Sequence, residues 1–475
     1  MAGIGFQLKE LYDQSNFLGQ LRAMSFSAIV ATGPMFLTIL LITVVREWLL
    51  VIGTPLSEVL LFMATTQYAF IFSQLLTGGF LFLIARYVAD QTFLEQETKV
   101  LSSLYGLLAI TFFIGFISTI VFYWGSPLSF AYKFLSYLFF VELIGIWILS
   151  MYVSALKDYK RIIISYGIGI AISFILSWLF IQVFGWATSF AMMVSIVSGF
   201  GLVYALLFRY VKLYFQVDDK NYFDFLRYLE RYPALFAIGF FYYLGLYGHS
   251  FIVWQGEYQV IVAETFSIAP FYDVPIFYAY LSVLPALVLF MVTIETKFYV
   301  TYKKYYSRIL NGSSLSEIEN AKREMFRVLR LELLFLAQIQ LLVILTAVFL
   351  GLTLLPSIGV TQGQLDIFIY AAIGSWFIGI LINVFMLMLY FDDRSSALKV
   401  ILLFAGVTML VTVLSTFTWI PLGVNLFVGG AVGMVASLIL MKSGLNEIDY
   451  STFCTQPIVA KQQSTWIEKY VVRHD

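Results

Sequence analysis

Cysteine occurs once in this sequence, as Cys454, and histidine twice, as His249 and His474. One thiol excludes an intrachain disulfide and any multi-cysteine metal site, and two distant histidines form no H-x-x-H pair. No G-x-x-x-x-G-K-[ST] loop is present, so the chain does not itself power any process with ATP. No G-x-S-x-G nucleophile elbow appears either. Neither a cofactor nor a metal is expected, and the absences weigh against an enzyme. Charge is scarce as well: 12% of the 475 residues are Asp, Glu, Lys or Arg, balanced at 28 of each sign. Zero net charge points to neither a nucleic-acid partner nor an acidic substrate. What fills the chain is apolar, 61% hydrophobic residues. A soluble chain of this length could not cover its surface with that composition, so an all-α polytopic membrane protein is expected. The first 24 residues carry charges throughout and lack a continuous apolar core; they do not read as a cleavable signal peptide.

A membrane span needs about 20 mostly apolar residues. Twelve segments qualify: 25–45, 57–84, 101–124, 129–153, 162–183, 186–208, 234–254, 276–296, 331–355, 366–390, 398–418 and 420–441. The tightest turns between them are GSPL (125–128), FGWA (184–187) and WIPLG (419–423). With the N-terminus inside, 26 of the 28 Lys and Arg residues fall on cytoplasmic segments, leaving Arg46 and Lys133 elsewhere. That bias predicts twelve spans with both termini cytoplasmic. The 211–233 loop splits the chain six plus six, which gives both halves the same topology. The domains expected are an amphipathic N-terminal helix in 1–24, an N-lobe at 25–209, an inter-lobe linker at 210–233, a C-lobe at 234–441 and a tail at 442–475. A cytoplasmic amphipathic helix is expected within 303–330. There Ser314 and Glu317 make a capping box, and Ile318, Ala321, Met325 and Leu329 an apolar stripe. That helix suits either the bilayer surface or a docking partner.

Ionisable groups within spans are rare and usually face a cavity or a partner. Glu142 lies in the middle of SYLFFVELIGIWILS, among Leu138, Phe139, Gly145 and Ile146. Lys133 is nine residues earlier, about 13 Å along the axis and half a turn out of phase, so the two cannot pair on one helix. A substrate path is expected at Glu142, Lys133, Tyr243, Tyr247 and His249. The tyrosines share a helix face at i, i+4, where rings can stack on sugars and phenols bond hydroxyls; the bland alternatives are a helix–helix hydrogen bond for Glu142 and an aromatic belt for the tyrosines. Pro34 in span one is expected to kink its helix. Gly429 and Gly433 form a GxxxG packing signal. Asp392, Asp393 and Arg394, between spans ten and eleven, are expected to hold an inner gate through charge-assisted hydrogen bonds, or else to be an exposed polar turn. The outer face sums to a formal charge of −5, from Arg46 against Glu47, Glu58, Glu257, Glu264, Asp273 and Asp366. Such an exit repels an anionic polymer and admits a neutral or cationic one.

Four patches together resemble the PelG family of Pel exopolysaccharide exporters: MAGIGFQLKEL at the N-terminus, TGP in span one, LYFDDRSSALK at 389–399 and GVNLFVGGAVG at 423–433. The resemblance runs through length and span layout and so covers nearly the whole chain. It implies a multidrug/oligosaccharidyl-lipid/polysaccharide (MOP) flippase-like fold, with two six-helix lobes around a central cavity, in a bacterial cytoplasmic (inner) membrane. It also implies export of an N-acetylgalactosamine-rich polysaccharide for biofilm matrix. The implied partners are a PelF-like cytoplasmic glycosyltransferase, a PelD-like cyclic di-GMP receptor and a PelE-like membrane protein. Two other readings stand beside it. A drug/cation antiporter of the same superfamily would carry a cluster of deep acids, where the first lobe has Glu142 alone. A membrane glycosyltransferase or ligase would need a larger outer platform than the 255–275 loop, which holds no Lys or Arg.

Overall fold

The computed structural model of the protein describes residues 34, 37–156, 158–293 and 297–453. Helix α1 covers 37–51. It is followed by α2 (Leu56–Phe93), α3 (Glu97–Tyr123), α4 (Phe130–Ala155), α5 (Tyr159–Trp178, extended by a π turn Leu179–Val183) and α6 (Thr188–Tyr214). Next come a 3₁₀ turn (Asp224–Leu226), α7 (Arg227–Arg231), α8 (Pro233–Val253) and a hairpin of β1 (Val260–Val262) and β2 (Phe266–Ile268). Then follow α9 (Pro270–Leu281), α10 (Leu284–Thr293), α11 (Tyr299–Leu310), α12 (Leu315–Leu354), α13 (Gln362–Tyr390), α14 (Arg394–Phe417), α15 (Val424–Asn446) and α16 (Ile448–Phe453). Eleven helical stretches among the described residues are long and apolar enough to cross a membrane; one of them, Pro270–Met291, joins α9 to α10. They coincide with the eleven expected segments from 57–84 onward. The first expected segment, 25–45, begins outside the described residues and continues into α1. The N-terminal helix and the tail beyond 453 also lie outside them; Pro34 is described, and its carbonyl accepts from Thr38 Oγ1 at 2.8 Å, but residues 35 and 36 beside the expected kink are outside.

The chain forms two compact units. Among the described residues the first holds Pro34–Pro270, Asp393–Ala405 and the stretch from Lys442; the second holds Phe271–Asp392 and Gly406–Met441. The division falls after the hairpin rather than at 210–233, because α8 packs along α2. The 210–233 segment is folded onto its own unit. Phe225 is buried, Tyr87 donates to Asp224 Oδ2 at 3.2 Å, and Tyr228 donates to Asp90 Oδ2 at 2.9 Å. Burial and the Asp90 carboxylate push the Tyr228 phenol well above its ordinary range.

Small residues set the helix approaches in the first unit. A Cβ on Gly199 of α6 would collide with Ser173 Oγ and the Gly169 carbonyl of α5. Rings then fill the centre: Phe70, Phe139 and Phe200 meet edge-to-face at 5.3 to 6.2 Å. Inside a bilayer, where lipid is as apolar as any side chain, this kind of close packing holds helices together.

The second unit follows the same logic. A Cβ on Gly429 of α15 would collide with Thr408 of α14, so the GxxxG glycine is a packing contact. Asn425 is fully buried and donates to Tyr272 Oη at 2.7 Å and Thr412 Oγ1 at 2.9 Å. Gly423, in the WIPLG turn, has φ +96° and lies against the Ile367 backbone, a conformation and a gap that only glycine suits.

The amphipathic helix expected in 303–330 is two helices. Glu317 Oε2 accepts from the Ser314 N–H at 3.1 Å, as the capping box requires. From there α12 runs 40 residues without a break, about 60 Å and twice the hydrocarbon thickness. Its stripe of Ala321, Met325 and Leu329 is buried, in the stretch where α12 packs on α11. The stripe is therefore consumed inside the protein and is not left for the bilayer surface.

Candidate transport site

In the first unit α2 and α8 cross at two glycines. A Cβ on Gly78 would stand 2.9 Å from the Gly239 carbonyl, and one on Gly239 would collide with the Gly78 carbonyl. Contact this close brings the polar side chains on either side of the crossing together. Tyr247 Oη donates to Gln74 Oε1 at 2.6 Å, and the Tyr243 ring lies over Gly78. Next to Gln74 on α2, Ser73 Oγ accepts from the Trp147 indole at 2.9 Å. Tyr243, Tyr247, Gln67 and Gln74 are all half-buried. The expected tyrosine pair thus has an uncharged partner on α2, Gln74. Gln67 and Gln74 lie seven residues apart on one face of an apolar helix, a signal that a search for ionisable groups passes over.

Beyond the Val253 end of α8 the hairpin closes over this pair of helices. Val260 pairs with Ile268 and Val262 with Phe266, and the turn between holds Ala263 and Glu264 at φ +47°. Tyr68 of α2 fastens it. Its hydroxyl donates to the Ser267 carbonyl at 2.6 Å and accepts from the Ser267 N–H at 3.1 Å, as a neighbouring strand would. Its ring stacks on Trp254 at 5.0 Å and meets Phe266 edge-on at 5.1 Å. Thr265 Oγ1 and Ser126 Oγ are 2.7 Å apart, which ties the hairpin to the α3–α4 turn. Replacing Tyr68 by Phe keeps the rings and orphans both Ser267 groups. We expect a loss of about 1–3 kcal/mol from the hairpin and faster amide exchange across 260–268. Unchanged exchange there would mean that the ring stack alone holds it.

The other expected site residues take different positions. Glu142 is half-buried on α4, with Oε1 2.9 Å from where a Gly201 Cβ on α6 would be. Its Oε2 is buried and makes no hydrogen bond among the described residues. Lys133 donates to the Ser126 carbonyl at 2.7 Å and the Tyr123 carbonyl at 3.4 Å, a cation on carbonyls at and just after the C-terminal end of α3. His249 is fully buried, with Ser250 Oγ at 3.4 Å from Nδ1, so it meets no solute in this conformation. Asp393 Oδ1 accepts from the Ser396 N–H at 3.1 Å, capping α14, and the Arg394 guanidinium lies over the Tyr232 ring at 4.6 Å. These contacts fix the turn. Of the charges expected on the outer face, Arg46 pairs with Glu47, and Glu58 accepts from the Ser189 N–H at 2.8 Å at the start of α6. Part of the acidic surface is thus spent on the protein itself.

Solved transporters share this fold. A MOP superfamily transporter from Pyrococcus furiosus is 11% identical, with a TM-score of 0.56 over 89% of this chain and 96% of that one. The Vibrio cholerae MATE transporter VcmN, in its bent form, is 12% identical, with a TM-score of 0.56 over 94% and 99%. An outward-facing multidrug resistance MATE family transporter is 12% identical, with a TM-score of 0.54 over 90% and 96%. No curated protein matches the chain. A family profile, PelG, described as "Putative exopolysaccharide Exporter (EPS-E)", matches residues 1–453.

Proposed function

The chain belongs to the PelG family of exopolysaccharide exporters, and from that membership we propose that it carries a Pel-type, N-acetylgalactosamine-rich polymer across the bacterial inner membrane. The family match over 1–453 supports this reading. The MOP-type fold makes it a membrane transporter, and we read it as one with no catalytic step of its own. The polymer comes from a PelF-like cytoplasmic glycosyltransferase, with PelD-like and PelE-like proteins as membrane partners. The face of α2 and α8 that carries Gln74, Tyr243 and Tyr247 has the chemistry of a sugar path. Phenols and amides exchange hydrogen bonds with hydroxyls and N-acetyl groups, and rings stack on the apolar faces of pyranoses. The multidrug activity of the structural neighbours is theirs, since likeness at 11–12% identity carries the fold alone.

Deleting the gene while keeping the glycosyltransferase should abolish surface polymer and leave polymer synthesis detectable in the cytoplasm. Surface polymer at wild-type level in the deletion would refute the reading. Orientation is tested separately. With Cys454 replaced, a cysteine at Ser313 should resist membrane-impermeant maleimide on whole cells, and one near Gly256 should react. External labelling at Ser313 would overturn the topology drawn from the basic residues.

A further inference from the structure

The charges on the inner part of α12 are sorted by face. Three of its glutamates turn toward α11 and are paired there: Glu317 with Arg308 at 3.3 Å, Glu324 with Lys304 at 2.6 Å, and Glu332 with Lys297, just before α11, at 2.7 Å. The buried stripe of Ala321, Met325 and Leu329 lies beside them. On the opposite side, at helical spacing, stand Arg323, Arg327 and Arg330. Arg323 pairs with Glu319 at 3.1 Å. Arg327 and Arg330 are exposed and form no ion pair or hydrogen bond among the described residues.

The same side of the helix continues outward as Leu334, Leu341 and Leu345, which are 55%, 42% and 59% exposed. Large apolar side chains that stay exposed along a span face lipid tails. Arg330 precedes Leu334 by one turn, about 6 Å along the axis, and Arg327 by about 10 Å. Two guanidinium groups therefore stand where the acyl region gives way to headgroups, on the very face that touches lipid. An arginine fork matches phosphate oxygens in a bidentate way, and basic groups just inside a span attract anionic lipid.

We propose that Arg327 and Arg330 form a binding site for the phosphate of an anionic phospholipid in the inner leaflet. Charge complementarity and continuity with the lipid-facing leucines select a lipid over a soluble partner. The site anchors the α11–α12 hairpin at the membrane surface.

The test is native mass spectrometry of the full chain released from nanodiscs. One set contains phosphatidylethanolamine alone, the other phosphatidylethanolamine with a quarter phosphatidylglycerol. Wild type should retain phosphatidylglycerol preferentially. The R327Q/R330Q variant should lose that retention by roughly tenfold, with an unchanged melting temperature in phosphatidylethanolamine alone. R327K/R330K keeps the charge and should retain most of the binding. Equal retention by wild type and R327Q/R330Q overturns the proposal. So does displacement of the lipid by inorganic phosphate at matched concentration, which would mark a soluble-phosphate site. Loss of cytoplasmic-protein capture with unchanged lipid retention would assign the two arginines to a protein partner instead.

Discussion

Gly239→Leu should remove most of the folded protein from the membrane. A Cβ at this position already collides with the Gly78 carbonyl and comes within 2.8 Å of Phe82 Cδ2, and leucine adds three further carbons. The obstacle is helix backbone, which cannot swing aside as a side chain can. Relief requires α2 and α8 to part, and with them go the Tyr247–Gln74 bond and the Tyr68–Trp254 stack. The cost exceeds the ~1–3 kcal/mol of ordinary overpacking and takes up much of the ~5–15 kcal/mol that holds a typical protein folded. Gly406→Leu is the control, since nothing lies within 4 Å of a Cβ there and the position is exposed. Size-exclusion profiles of tagged protein should show a collapsed monodisperse peak for Gly239→Leu and a normal one for Gly406→Leu. A normal peak for both would mean that α2 and α8 are not in close contact in the membrane.

The second large effect concerns Glu142. Its Oε2 is buried without a hydrogen-bond partner among the described residues, a costly arrangement that a purely structural role does not explain. We propose that this carboxyl serves transport, by accepting hydrogen bonds from sugar hydroxyls or N-acetyl amides or by titrating during the conformational cycle. Glu142→Gln keeps the shape and removes the charge; Glu142→Leu removes the polar group as well. Both variants should insert and fold, with Leu at least as stable as wild type because a poorly satisfied buried group is gone. Both should export polymer at less than about a tenth of the wild-type rate, the loss that roughly 1.4 kcal/mol of a charge-assisted bond represents. Surface polymer per unit of membrane-inserted protein is the readout. Near-normal export by Gln together with loss of inserted protein for Leu would reveal a helix bridge and end the transport role.

Four of the expected site residues illustrate how far a sequence carries. Tyr243 and Tyr247 were legible because i, i+4 spacing puts them on one face whatever the surroundings. Their contact with Gly78 and Gln74 was not, because nothing in one helix names the helix that will cross it. Lys133 stood out as a cation near a span end, yet the carbonyls it serves come together only once the α3–α4 turn has closed. His249 is one of two histidines in the chain, and rarity made it conspicuous; burial was decided by neighbours that the sequence does not order in space. The same holds for 210–233, whose polar composition reads as a linker but whose Phe225, Tyr228 and Asp224 are used to dock it.

The helical nature and the limits of the eleven described spans were determined by composition and hydropathy alone. A backbone in hydrocarbon must satisfy its own hydrogen bonds, so a run of about 20 apolar residues has no choice but helix. The distribution of Lys and Arg likewise predicts an orientation without reference to any fold. Tertiary structure alone decided where the apolar part of α12 gives way to an ion-paired polar stretch, and which face of it keeps free arginines. It alone decided that the loop 255–269 is a hairpin latched by Tyr68, and that the contacts divide after it. The reason is common to all of these. Hydropathy is a property of a segment against its solvent, whereas close packing between helices depends on which small residues meet, and that is settled only when the helices are side by side.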